Sequence, residues 1–169
     1  MGHDIKTVAV CTASPALTAI LSAVLAGKAG LRVRQFESKA GLTTYMQLAP
    51  VALLVCDIED AAMVAELRRD QGLADRDLEV IALARTLTRR DRQEAVASGI
   101  DEVILKPMSP SYLLERVVQR LDRREARIAV EGGYRGPNRR RVPSAPIAAY
   151  RRINDNVVQL FPHSWQPNP

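Results

Sequence analysis

A cluster of arginines near the C-terminus is the part of this sequence best suited to chemistry with a ligand. Six arginines and no lysine lie between residues 132 and 169. Lysine supplies a point charge, whereas the planar guanidinium group of arginine grips a phosphate with two hydrogen bonds, reads the O6/N7 edge of guanine and stacks on a ring. Tyr134, Tyr150 and Trp165 place aromatic rings among these arginines. The combination indicates a ligand that carries both phosphates and purine bases.

The net charge of the chain is confined to the same segment. The formal net charge is +5, yet residues 1–131 carry 18 basic and 18 acidic side chains, and residues 132–169 carry the six arginines against one carboxylate, Asp155. A basic tail on a neutral domain indicates an anionic partner. Six of the ten prolines also lie in this tail. Because it has little apolar surface to offset its ordering entropy, we expect the tail to be disordered until a ligand binds.

A second set of chemically capable side chains follows two apolar runs. Asp57 comes directly after the run Val51–Cys56, and Lys106-Pro107 comes directly after the run Glu102–Leu105. A carboxylate and an ammonium group at such places can form an ion pair or serve a phosphoryl-transfer site. The two cysteines, Cys11 and Cys56, also lie within apolar runs, and we expect both to be buried thiols of a protein in a reducing cytosol.

The elements that must position these residues alternate between strand and helix patterns. Strand patterns are predicted at Lys6–Thr12, Leu31–Phe36, Val51–Cys56, Leu78–Leu83 and Glu102–Leu105. Helical patterns are predicted to start at Pro15, after Ser38, at Ala61, after Thr88 and at Ser109-Pro110. Five βα units predict a parallel sheet with helices on both faces. We place the domain at residues 1–131 and the arginine-rich tail at residues 132–169.

The predicted domain resembles the receiver domain of bacterial response regulators over about residues 5–127. The resemblance rests on the five βα units, on Asp57 at the end of the third strand and on Lys106-Pro107 after the fifth. It implies a flavodoxin-like α/β fold with strand order 2-1-3-4-5.

Several positions that receivers use for phosphoryl transfer carry other residues here. The resemblance implies that Mg²⁺ is held by the Asp of strand three and by an acidic pair after strand one. The matching positions are Thr12 and Ala13, neither of which supplies a carboxylate. The hydroxyl residue expected after strand four corresponds to Ala84, and the switch aromatic of strand five corresponds to Val103. The domain is therefore expected to be a degenerate receiver with no catalytic residue and no metal.

Asp57 and Lys106 are what remains of the receiver constellation. We expect them to form a vestigial ion pair at the former phosphoacceptor site. Thr86, two residues past the hydroxyl position, and the nearby Glu59 and Asp60 leave open the alternative that phosphorylation is restored by other groups.

The arginine-rich extension resembles that of one subgroup, the CheY-like cyclic di-GMP effectors of alphaproteobacteria that act at the flagellar motor. The resemblance is carried by the run from Tyr134 to Arg141. It implies that the ligand is cyclic di-GMP. The two phosphates and two guanines of this ligand suit arginine forks, and either Asp155 or Asn154 is expected to accept from a guanine edge. The candidate ligand-binding residues are Tyr134, Arg135, Gly136, Pro137, Asn138, Arg139, Arg140, Arg141, Tyr150, Arg151, Arg152, Asp155 and Trp165.

These patterns predict a noncatalytic signalling effector without a cofactor. It is expected to be cytoplasmic, to bind cyclic di-GMP through its tail and to dock a protein partner such as the flagellar motor switch. The docking face implied by the resemblance includes Arg89, Arg90, Arg92, Leu105, Tyr112 and Arg116. Two alternatives stay open. One is a conventional regulator phosphorylated on Asp57, and the other is a nonspecific binder of nucleic acid or anionic surfaces, although we expect no nucleic-acid partner.

Overall fold

A mostly parallel β-sheet with helices on both faces organises the protein. The computed structural model describes residues 5–75, 77–128 and 157–158. The strands are β1 (Lys6–Cys11), β2 (Leu31–Gln35), β3 (Leu53–Asp57), β4 (Glu79–Ala84), β5 (Glu102–Leu105) and β6 (Val157–Val158). The helices are α1 (Pro15–Ala26), α2 (Lys39–Leu48), α3 (Ala61–Arg69), α4 (Arg89–Ser98) and α5 (Pro110–Ile128), and a 3-10 turn at Ile58–Asp60 precedes α3.

The strand order confirms the predicted flavodoxin-like fold. The sheet runs β2-β1-β3-β4-β5-β6, and its first five strands are parallel in the predicted order 2-1-3-4-5. The sixth strand was not predicted as an element of the sheet. It pairs antiparallel with β5, joining Val103 to Val158 and Ile104 to Val157. The chain thus returns to the domain after the arginine-rich segment.

Each face of the sheet packs against its own set of helices. Leu21 and Leu25 of α1 and Leu113 and Val117 of α5 cover one face, in a fully buried cluster with the apolar side chains of the strands. Helices α2, α3 and α4 cover the other face. Strands β3 and β4 are buried along their whole length, as their continuous apolar runs predict for strands covered on both sides.

Local capping signals set the helix boundaries close to the predicted ones. The Ser38 hydroxyl accepts from the Gly41 N–H at 3.1 Å at the start of α2. Thr88 and Asp91 form a reciprocal capping box at the start of α4, and Gly99 ends that helix with a left-handed φ of 84°. None of the helices in the described part of the chain combines the length and apolar character needed to cross a membrane.

Candidate functional site

Asp57 and Lys106 meet at the edge of the sheet where the parallel strands end. Asp57 is the last residue of β3, between β1 and β4, and Lys106 follows β5. The Lys106 ammonium donates to Asp57 Oδ1 at 2.6 Å, and the backbone N–H of Ala13, just past β1, donates to Asp57 Oδ2 at 2.7 Å. The Asp57 side chain is 8% exposed. One cation and one backbone donor therefore already compensate both carboxylate oxygens.

The groups around Asp57 do not fit the Mg²⁺ ion that a phosphorylatable receiver needs. A hard divalent cation takes several oxygen ligands, usually including more than one carboxylate. At the expected acidic pair, Ala13 has no side-chain oxygen, and the Thr12 hydroxyl is hydrogen-bonded to the Ser14 carbonyl and the Thr18 hydroxyl. Among the described residues, no group of three or more His, Cys, Asp or Glu side chains is arranged to hold a metal ion.

The residues considered as substitutes for the missing phosphorylation groups have other surroundings. Asp60 forms an ion pair with Lys39 at 2.5 Å. Thr86 is exposed and lines a polar cleft of about 440 Å³ together with Glu59 and Arg85.

Cys11 and Cys56 lie side by side in the core. They are register partners on β1 and β3, and both are buried free thiols, which confirms the predicted burial. Burial raises the pKa of Cys56, with smaller contributions from Asp60 and Asp57, and burial is also the main cause of the raised pKa of Cys11. Because the thiolate is the reactive form, these thiols act as small core residues.

A buried ion network that sequence reasoning missed joins α5 to the starts of β4 and β5. Glu79 and Glu102 open β4 and β5, and their side chains are 1% and 2% exposed. Arg120 Nε contacts Glu102 Oε2 at 2.6 Å, its Nη1 lies 3.6 Å from Glu79 Oε2, and its Nη2 donates to the Asp101 carbonyl. Arg116 Nε contacts Glu102 Oε1 at 2.5 Å. The spacing of four between these arginines is visible in the sequence, but their carboxylate partners are not.

This ion network changes the predicted docking face. Arg116 was predicted to belong to it, yet its side chain is 13% exposed and engaged with Glu102. Arg89, Arg90 and Arg92 on α4 are exposed, as that prediction requires. The exposed arginines of the predicted face therefore lie on α4.

The predicted ligand-binding residues lie outside the described part of the chain. This applies to every candidate from Tyr134 to Arg152, and also to Asp155 and Trp165. Their roles, and the prediction that the tail is disordered until it binds a ligand, stay predictions. The described residues fix the two ends of the intervening segment, because residues 129–156 connect α5 to β6.

Several solved structures that superpose on this chain are receiver domains or response regulators. A CheY-like receiver domain from Methanospirillum hungatei superposes with a TM-score of 0.64 at 16% identity, covering 72% of this chain and 98% of its own. The chemotaxis protein CheY4 of Vibrio cholerae gives 0.61 at 18% identity, covering 68% and 98%. An orphan response regulator of H. pylori gives 0.60 at 20%, covering 70% and 98%. The sequence matches no protein-family model and no curated protein.

The chain therefore has the fold of a CheY-like response-regulator receiver domain. Within that fold it keeps the aspartate of strand three and the lysine after strand five, in direct contact, and lacks the acidic pair after strand one.

Beryllofluoride with millimolar Mg²⁺ is expected to leave the domain unperturbed, because no second carboxylate accompanies Asp57 at the metal position. Amide chemical shifts around Asp57 measure the response. The variant Thr12→Asp/Ala13→Asp is the matched control. It restores two carboxylates and keeps the backbone N–H of residue 13, so it should gain Mg²⁺-dependent shifts. Shifts centred on Asp57 in the parent chain would contradict the prediction.

Proposed function

We propose that this protein is a noncatalytic signalling effector that binds cyclic di-GMP through residues 132–169 and thereby controls docking to a protein partner. The candidate partner is the flagellar motor switch. The observation that carries the proposal is the composition of the basic segment, which has six arginines and no lysine and includes the aromatic residues Tyr134, Tyr150 and Trp165. A nonspecific phosphate footprint needs charge alone, whereas recognition of guanine and phosphate together needs the guanidinium plane.

The receiver supports control by a ligand in place of phosphorylation. The Asp57 carboxylate already has Lys106 on one oxygen and the Ala13 N–H on the other. In this arrangement the charge of the carboxylate is compensated without Mg²⁺. An input that arrives through the tail fits a receiver of this kind.

A candidate surface for the partner is formed by α4, β5 and α5. Arg89, Arg90 and Arg92 are exposed on α4. Leu105 of β5 is half-buried on the α4 side of the sheet, and Tyr112 of α5 is half-buried on the other side. Exposed arginines suit a protein partner with acidic residues at its rim.

One alternative is favoured by a specific observation. The 2.6 Å contact between Lys106 and Asp57 is the contact that a phosphorylatable receiver would also retain. The beryllofluoride experiment separates the two functions, because a phosphorylatable domain responds to the ion with Mg²⁺ and a tail-controlled effector does not.

A peptide of residues 132–169 is expected to bind cyclic di-GMP in a calorimetric titration, and a chain ending at Glu131 is expected to lose that binding. The reason is that all the predicted guanine and phosphate contacts lie in the peptide. As a matched control, the same peptide with Arg135, Arg139 and Arg140 replaced by lysine keeps its charge but loses the bidentate contacts.

Two outcomes would contradict this prediction. Undiminished binding by the chain ending at Glu131 would place the ligand on the receiver. Binding that falls steeply with rising salt and ignores the base would identify a general phosphate footprint.

A further inference from the structure

The outer edge of β5 is the side that faces away from β4, and β6 pairs with it. The Lys106 N–H donates to the Ala84 carbonyl of β4 at 2.7 Å. Because successive N–H groups of a strand point to opposite sides, the Ile104 N–H also points to β4, and the N–H groups of Val103 and Leu105 point away from it. The Val103 N–H and carbonyl therefore face β6, where the register partner is Val158.

The two edges of the parallel sheet differ in their protection against other strands. Strand β2, at one edge, carries Arg32 and Arg34, and charged side chains discourage pairing with further strands. Residues 103–105 of β5 are Val, Ile and Leu, with no charge and no proline. An apolar edge of this kind is a template for another strand, and the protein pairs it with its own residues 157–158.

We infer that the outer edge of β5 is a strand-accepting docking surface, and that Val157–Val158 occupies it in cis and blocks it. The partner that fits this surface offers an extended segment that pairs antiparallel with β5 through its backbone. The inference deepens the proposed function, on which it rests for the identity of the docking face, by naming the edge that the partner must enter. The pairing of β6 with β5 supports the docking edge without any assumption about the ligand.

The covalent connection between α5 and β6 favours pairing of β5 with β6 over pairing with a strand from another molecule. Residues 129–156 join β6 covalently to the domain, so its pairing with β5 is intramolecular, and a tethered segment can reach an effective concentration on the order of mM. A competing strand at micromolar concentration therefore does not displace β6. The six arginines lie within this tether, and Asp155 lies two residues before β6. A ligand that folds the tether acts directly on the strand at its end.

Two proline variants of the full chain test the inference without cyclic di-GMP. Val158→Pro removes the N–H that faces the Val103 carbonyl, whereas Val157→Pro removes an N–H that points away from β5 and serves as the matched control. The probe is a fluorescent peptide of residues 153–162. We expect Val158→Pro to bind it at least tenfold more tightly than the parent chain and than Val157→Pro. Amide exchange at Val103 and Leu105 should accelerate in Val158→Pro, while Ile104, which faces β4, stays protected.

Several outcomes would overturn the inference. Unchanged exchange at Val103 in Val158→Pro would mean that β6 does not protect the edge. Faster exchange without peptide binding would mean that the edge does not accept a strand in trans. A parent chain that is a dimer and becomes monomeric on Val158→Pro would assign the strand to a second copy. Because cyclic di-GMP is absent, failure of the proposed ligand function leaves these results unaffected.

Discussion

Arg120→Met is expected to lower the free energy of unfolding by about 3–5 kcal/mol, the cost of removing one partner from a buried ion pair. Glu79 and Glu102 are almost fully buried at the starts of β4 and β5, and Arg120 contacts both. When the Arg120 guanidinium group is removed, Glu102 keeps its ion pair with Arg116. The two buried carboxylates are then balanced by one cation fewer. A loss of this size is a large fraction of the 5–15 kcal/mol typical of a folded domain. Urea unfolding followed by circular dichroism measures it.

The matched control for this prediction is Arg123→Met. Arg123 lies on the same helix and is exposed, so the same substitution should change the stability by no more than about 0.5 kcal/mol. Adding Glu79→Gln to Arg120→Met removes one buried carboxylate, leaves Glu102 paired with Arg116 and should recover part of the loss. Equal midpoints for Arg120→Met and Arg123→Met would show that the network contributes little to stability.

Replacing Arg135, Arg139 or Arg140 with lysine is expected to weaken cyclic di-GMP binding by about 1–3 kcal/mol for each change, or roughly ten- to hundredfold in affinity. Lysine keeps the positive charge but has neither the bidentate fork nor the flat stacking surface. Among the more distant pair, Arg151 and Arg152, at least one is expected to contribute. Calorimetry on the full chain measures each affinity.

Two controls separate guanine recognition from charge. Arg123→Lys, an exposed change on α5, should leave the affinity unchanged. Cyclic di-AMP should bind much more weakly, because adenine carries a donor where guanine carries the O6 acceptor. If the lysine variants bind as well as the parent and cyclic di-AMP equals cyclic di-GMP, the tail is a phosphate footprint and the proposed specificity is wrong.

Short-range signals in the sequence were sufficient for most of the fold. Strand β5 occupies Glu102–Leu105 as predicted, and α4 begins after Thr88 as predicted and ends before Gly99. These boundaries depend on caps, on apolar periodicity and on a left-handed glycine, which are properties of a few adjacent residues. The alternation of five such βα units leaves few topologies, because parallel strands need right-handed crossovers. The strand order 2-1-3-4-5 among these was predicted from the resemblance to receiver domains, and the sheet confirms it.

At the site, sequence alone determined which groups are present and which are missing. It showed Asp57 and Lys106 at the ends of two strands, and Thr12 and Ala13 where an acidic pair was expected. That the Ala13 backbone N–H contacts Asp57 Oδ2 is decided by the tertiary structure, since backbone donors have no signature in the sequence.

The tertiary structure alone decided the roles of β6 and of the charged residues beneath α5. Val157–Val158 is too short to form a strand by itself and becomes one because β5, more than fifty residues earlier, offers a free edge. Glu79 and Glu102 begin apolar runs in which a single carboxylate suggests a solvent-exposed strand end. Their burial is possible because α5 places Arg116 and Arg120 over them. Both features depend on contacts between residues that are far apart in the sequence and that meet only in the folded chain.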